Sequence, residues 1–584
     1  MSTLTPHGIL HKVLFQFGYR RDPSNNGRYQ QDIDINGIIF PVRILLHDPD
    51  FQVLPTVYLS HLPEQLPDRL PHVLKHLKLC YIDESRVHFD PFEIEDNISL
   101  VLNLVEKLLG DFVSNPELLQ EEIKREVIYY WDSDIYNCCY ILSNGKKLSH
   151  ALFKRPSLND NEDIHEIVLG KDTELDQWIE KRNGHSKHKG NAISIALSDG
   201  IKIPETSWPP ENILDAIEWL NSSGDKHSAH ILIDFVLESL AESSSYLAVL
   251  KLGSSHLGIY ASGTFTTQTR LIRNLIARKN KKSGKSHKIN HDQKLKFIKR
   301  SFHLGKPTFF RVKVDNSTPE HVSTRNISQT KNLKGTNIAL IGCGTIGGYA
   351  AQMLVQSGAG TDTGIFDIFD PDTLLPDNLG RHILGIKYIG ENKALSMTDW
   401  LQSNSVTKLS ITPYPNRITP NLLIDTKNKY DLIIDATGDS KFSTLLSHLM
   451  KRSDKSLPII YGWVDALGLA SRGLIDDSKH GHACYYCVTK IDKTTGTQKN
   501  LFKKGAKIPK WMPNACGIGS YLPFSSQASV CAASLIQGLC LDWINGNPSP
   551  RFRHITIDHN NVVNRNSNNM TSRQDCPCCS FSRV

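Results

Sequence analysis

No run of about 18 consecutive apolar residues occurs in the 584-residue chain, so a membrane-spanning helix is not expected. The opening residues, MSTLTPHGILHKVLFQFGYRRD, lack a basic stretch followed by an apolar core. A secretory leader is therefore not expected, and a cytoplasmic setting is. Cysteine is sparse: 12 residues are too few for a disulfide-built scaffold, so each must be a ligand, a nucleophile or a core residue. No repeat of fixed period is present, which excludes solenoids and propellers. Charge is moderate and hydrophobic content is 39%, which excludes wholesale disorder.

The net charge of +7 belongs to one segment. Between Arg278 and Arg300 stand ten basic residues and one acid, Asp292, a local +9 that leaves the rest of the chain at −2. Glycine, serine and asparagine dilute this run. It reads as a solvated loop, or as a dock for an acidic carrier or target, rather than as a nucleic-acid surface.

Three regions are expected. Residues 1–112 read as a compact α+β unit. It opens with an apolar-faced helix (Ile9, Val13, Leu14, Phe17), continues with strands in 35–46 and 53–59, and closes with a helix carrying Ile98, Val101, Leu102, Val105, Leu108 and Leu109 on one face, begun by Asp96/Asn97. Residues 113–335 read as a middle α/β linker domain, with a helical stretch over 117–131 and strands over 138–142 and 245–253. Residues 336–584 alternate strands (337–341, 364–369, 430–434, 457–461) with helices, the pattern of a Rossmann-like parallel sheet buried on both faces.

The first of those strands runs into Gly342-Cys343-Gly344-Thr345-Ile346-Gly347 and then an apolar helix. Glycines there permit a tight turn and close approach to phosphate, and the helix N-terminus offers free N–H groups and a positive dipole end. Asp370, ending the next strand, is placed for a ribose. This much suits a nicotinamide or flavin enzyme equally well. The residues beyond that strand discriminate: Asp372, then Asn378-Leu379-Gly380-Arg381, then Gly390-Glu391-Asn392-Lys393. Hydride transfer has no need of an added acid, Arg and Lys just past the ribose strand, whereas cleavage of an α–β phosphate bond does.

Cys484-x-x-Cys487 and Cys576-x-x-Cys579 form two pairs suited to tetrahedral Zn²⁺ in a closed structural site, with a disulfide pair as the alternative; Cys578 is surplus. Cys516, in Asn514-Ala515-Cys516-Gly517, is flanked by flexible residues and can accept an acyl group as a thioester. Cys531 and Cys540 fit the apolar face of the helix after it. Cys80 taken alone suits a small buried hydrophobe as well as a nucleophile.

The motifs from Asn337 to Cys579 closely resemble the ubiquitin-activating superfamily, including the bacterial enzymes of the ThiF/MoeB type that adenylate sulfur-carrier proteins. The resemblance implies ATP and Mg²⁺, with Gly342, Gly344 and Gly347 lining the nucleotide, Asp370 on ribose, and Asn378, Arg381 and Lys393 on phosphates. It also implies an Mg²⁺-site Asp within an aspartate–x–Thr–Asp sequence. Here that sequence reads Asp435-Ala436-Thr437-Gly438-Asp439, so the expected Asp is Gly438 and Asp439 stands one position late. The family commonly carries the four-Cys zinc site, places its catalytic Cys where Cys516 lies, and pairs as homodimers.

Residues 1–112 resemble a ubiquitin-conjugating fold, in which a Pro/His turn (here Pro71-His72) precedes the active Cys, here Cys80. The usual Asn of that turn is missing, so the oxyanion role is unassigned and His72 is structural. The whole resembles the activating/conjugating fusions of CBASS antiphage operons. That implies adenylation of the C-terminus of a cGAS-like nucleotidyltransferase, a thioester on Cys516, transfer to Cys80, and attachment to lysines of target proteins. The alternative is a sulfur-carrier or ubiquitin-like adenylating enzyme with an inert N-terminal domain. No membrane or nucleic-acid partner is expected.

Overall fold

The computed structural model describes residues 5–580, except 24–26, 50, 84–86, 88, 115, 132–138, 158–162, 205–207, 243–244, 263–290, 306–307, 328–330, 407, 454–455, 478–480, 490–500, 509–511 and 514–519. Cys516 and most of the basic run, 278–290, therefore lie outside the described residues. Two compact units emerge: Met1–Leu175 with Arg182–Asp315, and Asp176–Lys181 with Asn316–Val584.

The first unit begins with the helix Pro6–Gln16, whose N-cap Thr5 accepts the Gly8 N–H and whose Pro6 needs no partner at the first position. A four-stranded antiparallel sheet comes next: Arg20–Arg21, Arg28–Ile35, Ile38–Leu45 and Thr56–Leu59. The central hairpin turns at Asn36-Gly37, both at positive φ, as a two-residue turn between twisted strands requires. Phe40, Val42 and Ile44 alternate inward and meet Val101, Val105 and Leu109 of the helix Ile94–Ser114. That helix starts at Ile94, earlier than Asp96/Asn97. Asn97 lies within it, buried, its side-chain N–H donating to the Asp90 carbonyl at 2.7 Å, so its polarity serves a tertiary bond rather than a cap.

The middle region is a closed seven-stranded barrel in the order Ser255–Ser262, Thr308–Asn316, Cys139–Ile141, Asp163–Gly170, Leu148–Pro156, His185–Ala196, Ser245–Leu252. One set of strand residues (Ile141, Leu169, Leu247, Val249, Val312) forms one apolar cluster. The alternate set joins the helices Ile213–Ser222 and Lys226–Glu242 around Trp131, Trp208 and Trp219. Glu166 is fully buried in the barrel and takes Arg155 Nε and Arg182, each at 2.6 Å, on one carboxylate oxygen.

The second unit holds a seven-stranded sheet: Ile411–Tyr414, Phe366–Phe369, Ile338–Ile341, Leu432–Asp435, Ile459–Asp465, Ala470–Asp476, Phe552–Thr556. The first five strands pair in parallel, and Ala470–Asp476 runs antiparallel to both of its neighbours. Ile338 and Leu340 face one helical layer while Ala339 and Ile341 face the other, which is why the strand is apolar throughout. Ser526–Ile544 is, among the described residues, the one helix long and apolar enough to cross a membrane; half of it is buried here, where Ala532, Ile536, Leu539 and Cys540 pack in the core. Cys540 is a core thiol as expected, whereas Cys531 is partly exposed.

Glu166→Ala leaves two guanidinium groups facing a buried site without their carboxylate. It should lower stability by roughly 3–5 kcal/mol, read as an earlier unfolding transition by calorimetry.

Candidate adenylation site and conjugating cysteine

The sheet presents its C-terminal strand ends to a cavity of about 640 Å³, where α/β sheets bind ligands. Gly342 has φ +87°, and a Cβ there would meet the Thr437 backbone at 2.9 Å. At Gly347 a Cβ would fall 1.9 Å from the Gly342 carbonyl oxygen, so the helix Thr345–Gln356 can leave the strand at this angle only with glycine present. Gly344 is different: nothing lies within 4 Å of where its Cβ would be. Two glycines of the loop thus serve close packing, and the third faces open space at the helix N-terminus.

The loop is held from both sides. Asp370 accepts the Cys343 N–H at 2.6 Å and the Asp372 N–H at 2.8 Å. It is not among the cavity-lining residues, and burial raises its pKa. His382 accepts the Leu384 N–H at Nδ1, so Nε2 donates to the Cys343 carbonyl at 2.9 Å; burial keeps its pKa low and this donor pattern intact. Burial pushes the Cys343 thiol well above the ordinary range, so the thiol in the middle of the loop is not a nucleophile.

Gly344, Asn378, Arg381 and Lys393 all line the cavity. Lys393 is the first residue of its helix, behind the N-cap Asn392, and its ammonium sits 3.2 Å from Asp372. Asn392 donates to the carbonyls of Asp370 and Asp372, fixing that strand end against the lysine. The Arg381 guanidinium lies 5.0 Å from the Phe524 ring centre, and its Nε is buried with no hydrogen-bond partner among the described residues. An unsatisfied cationic donor and a lysine beside a helix N-terminus make a chemically fitting bed for a nucleoside triphosphate.

Gly438 lines the cavity at φ +67°, a backbone conformation that disfavours the Asp expected there. Asp439 caps the next helix, accepting the Lys441 and Phe442 N–H groups on Oδ1. Asp435 is buried and braces the same loop through Thr437 and Ser443. Asp465, which carries no recognisable motif, is the one carboxylate among the described lining residues. Arg472, almost fully buried, holds it at 2.9 Å and in turn faces His554 Nδ1; burial and that guanidinium push the His554 pKa down to about 3.

Cys484, Cys487, Cys576 and Cys579 come together, with all four sulfurs within 4.8 Å of one another. Sulfur separations of 3.7, 3.5 and 3.8 Å match the edge of about 3.8 Å that four Zn–S bonds of ~2.3 Å impose on a tetrahedron. Cys578 is buried beside this set without joining it.

In the first unit Cys80 is exposed, at the end of a turn in which its N–H donates to the His72 carbonyl at 2.7 Å and Val73 bridges Leu79. His72 has φ +61°. Its Nδ1 lies 2.5 Å from Glu126 and its Nε2 lies 3.5 Å from Glu122.

Fold and site define an adenylating enzyme of the ubiquitin-activating class joined to a ubiquitin-conjugating-like domain. Residues 321–578 match the ThiF family, and residues 11–139 match prokaryotic E2 family B. Both matches are those of an activating/conjugating enzyme, and over most of its length the chain is similar to bacterial ATP-dependent ubiquitin transferase-like proteins. It is similar to the ATP-dependent ubiquitin transferase-like protein Cap2 of Pseudomonas aeruginosa, at 27% identity over 91% of this chain and 90% of the relative. The Cap2 proteins of Escherichia coli (25%, covering 98% and 99%) and Vibrio cholerae (25%, covering 91% and 93%) match likewise. Among solved structures, E. coli MccB with MccA-N7isoASN matches at 18% identity and a TM-score of 0.32, over 42% of this chain and 68% of that one.

Gly347→Ala should be the most damaging single-methyl change in the loop, because the nearest atom is backbone and cannot move aside. Overpacking of this kind typically costs ~1–3 kcal/mol. A lower Tm together with lost ATP binding by calorimetry is the expected outcome.

Proposed function

We propose that the second unit adenylates the C-terminal carboxylate of a protein and that the first unit passes the acyl group to a lysine. The observation that supports this most is the convergence of Asn378, Arg381 and Lys393 on one cavity at a helix N-terminus. A carboxylate oxygen attacks the α-phosphorus of ATP, the bond to the β-phosphate oxygen breaks, and pyrophosphate leaves. Arg381 and Lys393 offset the charge that develops, and the helix N-terminus donates to the phosphates. Asp465 in the cavity lining, and Asp439 between the lining residues Gly438 and Ser440, are the carboxylates suited to Mg²⁺, which would neutralise phosphate charge. Asp370 acts on the nucleotide through the loop it braces, with ribose as its further partner.

The Cys516 thiolate then attacks the acyl carbon and expels AMP, the Cys80 thiolate displaces Cys516, and a lysine amine displaces Cys80 to leave an amide. Cys516 is assigned from its position in the chain and from the family resemblance. The exposure of Cys80 in an E2-like turn supports its role as acceptor. A cGAS-like nucleotidyltransferase as carrier, lysine-bearing targets, a homodimer and a part in antiphage defence rest on the resemblance to the CBASS fusions. The four-cysteine cluster would hold a structural Zn²⁺.

Arg381→Ala and Lys393→Ala should each cut carrier-dependent ATP–pyrophosphate exchange by about 10²–10³-fold. On non-reducing gels with ATP and carrier, Cys516→Ala should lose every thiol-sensitive adduct, whereas Cys80→Ala should keep the first and lose the target conjugate. Full conjugate formation by Cys80→Ala would instead mark the N-terminal domain as inert and the chain as a carrier-adenylating enzyme. Purified protein should contain one zinc per chain by elemental analysis, and Cys576→Ser should lose the metal and unfold at lower temperature.

A further inference from the structure

The conjugating turn lacks the Asn that would donate to a tetrahedral intermediate, and the structure offers a replacement assembled from two distant parts of the chain. Pro71-His72 folds back on Cys80 through the Cys80 N–H to His72 carbonyl bond, and the Cys80 thiol is the first of the groups that raise the His72 pKa. Glu126 stands at the break between the helices Pro116–Arg125 and Val127–Trp131 and grips His72 twice. One carboxylate oxygen takes the His72 N–H at 2.7 Å and the other faces Nδ1 at 2.5 Å. Glu122, one turn earlier, lies 3.5 Å from Nε2. Tyr130 on the same helical arm donates to the Val73 carbonyl at 3.0 Å, with Arg69 over its ring, so the turn and the arm are pinned together. His72 keeps a left-handed backbone, a strain commonly held at functional positions.

We infer that His72 is a catalytic residue of the Cys80 step, acting as a fixed imidazolium donor to the oxyanion, and that Glu126 and Glu122 are its positioning residues. This rests on Cys80 being the acyl acceptor. The lysine amine attacks the thioester carbonyl carbon, and the C=O pair moves onto oxygen. Nε2–H, loosely engaged by Glu122, donates to that oxygen and keeps its proton. The intermediate then collapses, re-forming C=O and expelling the Cys80 thiolate, while the ammonium proton goes to water. A group already within reach of the sulfur is close to the carbonyl oxygen attached one atom further on.

The groups facing His72 are Cys80, Glu126 and Glu122; bonding to the thiol and to Glu126, reinforced by both carboxylates, lifts its pKa to about 10 against the cost of burial. It therefore stays protonated through the neutral range and loses the donor only as pH rises through that value. Without Glu126 the pKa falls, so the donor is lost at a lower pH than in the unchanged protein.

The test is single-turnover discharge of the pre-formed Cys80 thioester of the full chain to free lysine, from pH 6 to 9. The expected ratio of Glu126→Gln to unchanged protein is near one at pH 6, falling about tenfold by pH 8. His72→Ala should be slow at every pH, and His72→Gln, which keeps a neutral donor, should recover part of the rate with no added pH dependence. A pH-independent ratio for Glu126→Gln, or a His72→Ala rate equal to that of the unchanged protein, would overturn the inference while the thioester itself still stood. Absence of any Cys80 thioester would instead remove the conjugation reading on which it rests.

Discussion

The approach of Gly347 to the Gly342 carbonyl oxygen is the constraint on which the nucleotide site depends. With no side chain between them, the helix Thr345–Gln356 starts directly at the sheet edge, and its unpaired N–H groups open into the cavity. Asp370 and His382 then lock the intervening Cys343 from its N–H and its carbonyl, so the loop is rigid before any ligand arrives. Around that fixed turn, Lys393 and Arg381 reach the cavity from separate elements. A preorganised set of donors needs little rearrangement as charge develops, which is where electrostatic catalysis gains most.

The same logic holds at the other reactive centre with different parts. There the turn carrying Cys80 is short and partly exposed, so its order comes from outside. Glu126 and Tyr130, on the helical arm that leads toward the barrel, bond its backbone and its histidine. The arm also contributes Ile123, Val127 and Trp131 to the apolar cluster over the barrel. The conjugating turn is thus braced by residues whose own positions are fixed by the barrel's core.

Much of the second unit was legible in the sequence because its signals are local. Parallel strands buried on both faces read as unbroken apolar runs, and a glycine loop between strand and helix has few other uses. The four zinc-type cysteines were legible for the same reason, as two tight pairs. The barrel was not: its order brings Cys139–Ile141 beside both 163–170 and 308–316, a pairing that no short window encodes. Asp465 escaped notice because its meaning depends on Arg472 and His554, and His72 read as structural because Glu126 lies 54 residues away. Asp370 was singled out for ribose, yet its carboxylate accepts loop N–H groups and is not in the cavity lining, a direction that spacing alone does not specify. Asp96/Asn97 resembled a cap by composition, while the helix had already begun at Ile94 under the pull of its apolar face.

The most direct measurement tracks oxygen. A carrier protein labelled with ¹⁸O in its C-terminal carboxylate is turned over with ATP and a lysine-bearing acceptor, and the released AMP is weighed. If the carboxylate attacks the α-phosphorus and the acyl group then leaves to a thiol, each AMP carries one ¹⁸O. Unlabelled AMP, or ADP and phosphate in its place, would contradict activation by adenylation.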